Sequence, residues 1–198
     1  GSRRPFAFQG VKLRLGPGRL LPGKEVAPAP PPPPGPFAPL EARRDYLDHL
    51  RKSAQGLALK RGVVYLDAMG GAGGGILGQV LKRLEAPVEL RELHPLPHPL
   101  FYGVAPDPRP EHLRTLRLLL REAKPPALGL ALDGDADRLG VYLPGGEALP
   151  GDQALARLRE AAQGREVEAL GEGAYRFPWH LEEPDPFLAA LLLMGVLL

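Results

Sequence analysis

No cysteine occurs among the 198 residues, which excludes disulfides, thiolate zinc sites and cysteine nucleophiles and agrees with a reducing, cytoplasmic setting. Neither sign of charge dominates. The 25 basic and 23 acidic residues leave a net charge of +2, so no electrostatic surface for nucleic acid is expected. No charged opening followed by an apolar core marks a secretory leader. The longest apolar run, Phe187 to Leu198, falls short of the roughly 20 residues that a membrane span requires, and no membrane partner is expected. With Asp185 as N-cap and Pro186 in the first turn, that run reads as a helix that is apolar on all sides. Such a helix predicts burial on several sides, or a surface at 186–198 for a protein partner or self-association.

Proline and glycine are abundant, 25 of each, and they divide the chain. Residues 1–26 hold one short strand-like run, Val11 to Leu15, too small to fold alone. Residues 27–39 contain the proline tract from Pro28 to Pro36 and read as a semi-rigid polyproline II linker. Residues 40–146 alternate between elements: a helix over 41–55, strands over 62–67, 88–93 and 128–132, and helices over 76–84 and 111–123 between the strands. That order predicts an α/β fold, a three-layer sandwich with a mainly parallel sheet. Residues 147–198 add a helix to Ala162, a strand over 166–170 and the apolar terminal helix.

Asp133, Asp135 and Asp137 alternate with Gly134 and Ala136 in a run closed by Arg138. Three carboxylates within five residues repel one another unless a cation neutralises them, and the slim residues between let them converge. The pattern predicts a hard divalent cation, magnesium, at Asp133, Asp135 and Asp137. Arg138 adds a planar fork suited to phosphate at the edge of the same site. A plain acidic turn would not need the alternating register. A calcium EF-hand opens on the same alternation but requires glycine at its sixth position and glutamate at its twelfth, where this chain has Arg138 and Pro144. The acidic run also follows a strand of the expected parallel sheet, where ligands gather in such folds. Phosphoryl transfer is therefore the chemistry expected.

Two other features carry less. The glycine-rich run from Asp67 to Gly75 lies between a strand and a helix, but no Gly-Lys-Ser/Thr ends it as in a Walker loop. Tight packing of the helix start is the favoured reading there. His94 and His98 flank prolines that forbid a helix, so they read as loop or packing residues. His49, His112 and His180 show no partner in the sequence, and no histidine is assigned to catalysis.

Together these residues resemble the alpha-D-phosphohexomutases, the phosphoglucomutase and phosphomannomutase family. The run Asp133 to Arg138 is similar to the family's magnesium loop residue for residue, and Asp67 to Gly73 resembles the strand and turn that open its second domain. Pro106-Asp107-Pro108 followed by Glu111-His112-Leu113 is similar to its proline-rich loop and the next helix. Ser2 before Arg3, Arg4 and Pro5, with Gln9 to Lys12 beyond, resembles the catalytic serine loop. The resemblance implies Ser2 as the phosphorylated serine and Lys12 as an aid to proton transfer, although arginines stand where the family has histidine and asparagine. Gly171-Glu172-Gly173-Ala174 is similar to the sugar-binding loop of the third domain, implying Glu172 as a substrate contact with alanine in place of serine.

The resemblance implies one near-complete phosphohexomutase-type domain at 40–146, a remnant of domain one at 1–26 and a shortened domain three at 147–198. It implies phosphoryl transfer between the 1 and 6 positions of a hexose phosphate by a magnesium-assisted phosphoserine. Arg3, Arg4 and Ala174 support an alternative, a truncated paralogue acting as a metal-binding or protein-interaction module without catalysis.

Overall fold

Leu128, Leu130 and Leu132 share their strand with Ala127, Gly129 and Ala131, so no polar face is left and the strand must be covered on both sides. The computed structural model, which describes residues 42–198 and the backbone of 13–14 and 20–21, places that strand at the centre of a sheet. In chain order the elements are β1 (Leu13–Arg14), β2 (Leu20–Leu21), α1 (Ala42–Ser53), β3 (Gly62–Asp67), α2 (Ile76–Arg83) and β4 (Val88–Leu93). They continue with α3 (Arg114–Glu122), β5 (Ala127–Leu132), β6 (Leu139–Tyr142), α4 (Gly151–Ala161), β7 (Glu168–Gly171), β8 (Ala174–Arg176) and α5 (Pro186–Leu197). The expectations for the Ser2 and Lys12 side chains and for the proline linker lie outside the described residues.

The main sheet has the order β4-β3-β5-β6. β3 pairs in parallel with both β4 and β5, and β6 closes the edge antiparallel to β5. Side chains leave a strand alternately to its two faces, and the core follows that alternation. Val64, Leu66, Leu128, Leu130 and Leu132 pack with α1, α2 and α5 on one face. Tyr65, Ala131 and Tyr142 pack with Leu113, Leu116 and Leu120 of the α3 segment on the other. The fold is thus the expected α/β sandwich with helices on both sides of a mostly parallel sheet. The helix expected over 111–123 starts later, because Pro110–His112 forms a 3-10 turn before α3.

α3 lies so close to β5 that no side chain fits between them at Gly129: an added Cβ would collide with Leu120 Cδ1 and stand 3.0 Å from Tyr142 Cβ. Gly129→Ala is expected to cost about 2 kcal/mol through overpacking. The check is a shift in the urea midpoint at unchanged slope; an unchanged midpoint would show that α3 yields.

The apolar terminal helix is α5, capped as expected by Asp185, whose side chain accepts hydrogen bonds from the amides of Phe187 and Leu188. Every residue from Pro186 to Met194 is buried, and Phe187 to Met194 share a core cluster with the leucines of β5 and residues of α1 and α4. The burial expected of this helix is thus met within the chain through Met194, and Gly195 to Leu198 are half-buried. Among the described residues no helix is long and apolar enough to cross a membrane.

Candidate metal centre

The connection β3-α2-β4 moves to one side of β3, and β4-α3-β5 returns to the other. The chain segments leaving β3 and β5 therefore diverge at their carboxyl ends and open the crevice in which α/β sheets bind ligands. Asp133 to Arg138 leaves β5 at that point.

Asp133, Asp135 and Asp137 each offer a carboxylate oxygen, and these oxygens lie within 4.8 Å of one another. Asp133 is the buried member. Its Oδ1 accepts the amide hydrogens of Asp137 and Arg138 at 3.0 and 3.1 Å, and its Oδ2 accepts Arg138 Nε–H at 2.8 Å. Those bonds fold the loop back on its first residue, with Ala136 in the left-handed region at φ 58°. A carboxylate has about four acceptor directions, so Asp133 keeps capacity for one further bond. Burial pushes the Asp133 carboxyl above the usual carboxylate range and the Asp135 charge adds to this, while the hydrogen bonds from Arg138 pull the other way.

Two loops brace the site. The Gly134 carbonyl accepts the Ala72 amide at 3.0 Å, and the Gly134 amide donates to the Pro106 carbonyl at 3.2 Å. The glycines after β3 do serve close packing, as expected, and what they pack against includes the acidic loop itself. A Cβ on Gly71 would stand 2.6 Å from the Gly134 carbonyl oxygen and 3.0 Å from that of Asp133. Gly71→Ala is expected to displace the acidic loop, costing about 2 kcal/mol of stability through the backbone clash and weakening magnesium binding about tenfold or more. Parallel metal titration and thermal melts would separate the two effects, and unchanged affinity would contradict the bracing role.

Arg138 Nη1 also reaches Asp107 Oδ1 at 3.3 Å, and Asp107 Oδ2 accepts Arg109 Nε–H at 2.9 Å. Asp107 thus joins two guanidinium groups at the rim. It sits in the proline-rich loop noted from the sequence, where a lone acid between prolines gave no sign of this role. The β7–β8 hairpin docks beside Arg138 through the Leu139 amide, which donates to the Gly173 carbonyl at 2.9 Å. Arg138 and Glu172 consequently line one cleft with Asp107, Arg109 and Tyr175.

The histidines have more partners than their sequence context suggested. His180 Nε2 lies 2.8 Å from Asp185 Oδ2 and Nδ1 lies 2.7 Å from Ser53 Oγ, with His49 stacked on its ring. His94 Nδ1 lies 2.9 Å from Asp67 Oδ1. Ser53 and His180 are 127 positions apart, and Asp67 and His94 are 27 apart, so no local motif announced these contacts.

The family described as phosphoglucomutase/phosphomannomutase, alpha/beta/alpha domain II, matches residues 44–146, more than half of the chain. The chain belongs to the phosphoglucomutase/phosphomannomutase family. A phosphoglucomutase of Neisseria meningitidis serogroup B is 31% identical over 167 residues, covering 78% of this chain and 35% of the relative. A solved structure assigned as a phosphomannomutase from Thermus thermophilus superposes with a TM-score of 0.70 at 29% identity, covering 82% of this chain and 48% of that one. A phosphoglucomutase/phosphomannomutase family protein from Burkholderia thailandensis shares the fold with a TM-score of 0.61 at 21% identity, covering 78% of this chain and 43% of that one. The chain spans about a third of the length of the curated relative and about half of the Thermus structure.

Proposed function

We propose that this chain supplies the magnesium-holding part of a phosphohexomutase, with Asp133, Asp135 and Asp137 as the protein ligands. The observation that carries this is the convergence of three carboxylate oxygens within 4.8 Å at the carboxyl end of a parallel strand. Magnesium binds oxygen at about 2.0–2.1 Å, so no two of its ligands are more than about 4.2 Å apart, and the three carboxylates would close in slightly to hold it. The present spacing also spans a calcium ion. Three protein oxygens suit magnesium better, because it keeps several waters and phosphate oxygens in its shell whereas calcium takes six to eight ligands. Bound there, the ion supplies neutralisation of charge on a phosphoryl group in transfer.

The remaining roles belong to the chain. Asp133 anchors the loop and uses its last acceptor position for the ion. Arg138, held by Asp133 and Asp107, offers its guanidinium edge to phosphate, and Glu172 in the same cleft accepts hydrogen bonds from sugar hydroxyls. In the mutase reading a phosphoryl group leaves the Ser2 oxygen for one hydroxyl of a hexose phosphate, and Ser2 recovers a phosphoryl from the other end of the bisphosphorylated sugar. Lys12 receives and returns the proton. The segments 1–26, 40–146 and 147–198 correspond in this reading to parts of domains one, two and three.

Turnover of glucose 1-phosphate and mannose 1-phosphate with magnesium and a bisphosphate activator, run beside Ser2→Ala and Asp135→Ala, tests the reading. Activity lost in both variants is the expected result. Magnesium binding without turnover would leave the metal site and reject the mutase.

A further inference from the structure

A second pocket, of about 160 Å³, lies between the ends of β3 and β4 and the start of α3, and none of the three clustered aspartates lines it. Asp67, His94, Tyr102, His112, Arg114 and Thr115 contribute its polar lining. A single water needs about 10–15 Å³ by the same measure, so the pocket has room for a phosphate-sized group.

The two imidazoles are fixed in orientation and tautomer. His94 Nδ1 faces the buried Asp67 carboxylate at 2.9 Å, an acceptor that requires a hydrogen on Nδ1. His112 Nδ1 faces the Asp107 carbonyl at 3.1 Å, and the same argument applies. In each ring Nε2 is then the end left for a ligand, and it becomes a donor when the ring is protonated. Arg114 adds a permanent charge. Tyr102, with His98 stacked at 4.4 Å on its ring, forms the wall beside His94. Met69, His94, Phe101 and Tyr102 all hold left-handed backbone, with φ between 47° and 55°, so the wall is built from residues that the surrounding structure must constrain.

A metal is the wrong guest for this set. Among the described residues only the three aspartates converge as a group of three or more metal ligands. Arg114 and the two imidazoles, once protonated, present donors from three separate residues, and the tetrahedral oxygens of a phosphate point in enough directions to meet all three.

We propose that this pocket binds a phosphate group through His94, His112 and Arg114, independently of metal at the aspartate loop. Such binding needs neither magnesium nor a phosphoserine, so it stands apart from the mutase reading. The test is a titration with inorganic phosphate in EDTA, followed by the side-chain nitrogen signals of His94 and His112 in the NMR spectrum. Both signals are expected to move saturably toward the imidazolium position. Arg114→Gln, an exposed change, is expected to weaken the apparent affinity about tenfold while leaving the spectrum of the unliganded protein in place. Acetate should give a far smaller response. Unmoved histidine signals, an undiminished response in Arg114→Gln, or an equal response to acetate would each overturn the proposal.

Discussion

Asp185→Ala is expected to lower the free energy of unfolding by about 4 kcal/mol, a large part of the stability of an ordinary domain. Both oxygens of this carboxylate are in use. Oδ1 caps α5 by accepting the amides of Phe187 and Leu188 at 2.9 Å, a contribution of about 1 kcal/mol. Oδ2 accepts Tyr46 O–H at 2.9 Å and pairs with His180 Nε2 at 2.8 Å. The His180 and Asp185 side chains are 0% and 2% exposed, so alanine would strand an imidazole and a phenol in the core. Leaving each of these polar groups without its acceptor costs roughly 1–3 kcal/mol. Burial, and then the Asp185 charge, already push the Tyr46 hydroxyl far above its ordinary titration range. Tyr46→Phe loses only one of the two bonds to Oδ2 and should cost about 1 kcal/mol. Urea unfolding of the two variants checks the order. An Asp185→Ala protein within about 1 kcal/mol of the parent would show that the cluster is not what ties α1 to α5.

Asp135→Asn is expected to matter little without metal and much with it. In EDTA the three carboxylates repel one another, and Asp135 helps to raise the Asp133 titration. Neutralising Asp135 relieves that repulsion but also removes its attraction for Arg138, so the metal-free protein should change by less than about 1 kcal/mol given solvent screening. With magnesium the parent should gain about 2.7 kcal/mol at a hundred times its Kd, and the variant should lose most of that gain. The pH dependence has a fixed sign. A carboxyl whose folded-state value is raised binds its proton more tightly in the folded protein, so its contribution to metal-free stability falls as pH rises from the unfolded value of about 3.9 through the higher folded one. Magnesium should suppress that fall. Thermal melts with EDTA and with magnesium, for parent and variant, provide the check. Equal magnesium stabilisation of both would remove Asp135 from the ligand set.

The central sheet was legible because its strands obey simple rules of covering. β5 has no polar residue, which only a strand buried on both faces tolerates, and the helical leucine spacing of 111–123 located α3 to within a turn. The convergence of the acidic loop was legible for a different reason: carboxylates at a two-residue period, with only Gly134 and Ala136 between them, can turn to one side. The rest depended on contacts between distant positions. Asp107 between Arg138 and Arg109, and the cluster of Asp185, His180, Tyr46 and Ser53, join residues that no periodicity relates. The terminal helix shows the same limit. Its apolar character predicted burial, but only the fold reveals that the covering surface lies within this chain. Gly71 and Gly129 were visible as glycines, whereas the carbonyl and the leucine that make them necessary were not.

The most direct test of the metal-site assignment is calorimetric titration of magnesium into the full chain, beside Asp133→Asn and Asp137→Asn. Saturable binding to the parent is the predicted result, weakened by at least about a hundredfold in either variant, since each removes a charged ligand from a small set. Absence of saturable binding to the parent, or undiminished binding in both variants, would contradict the assignment.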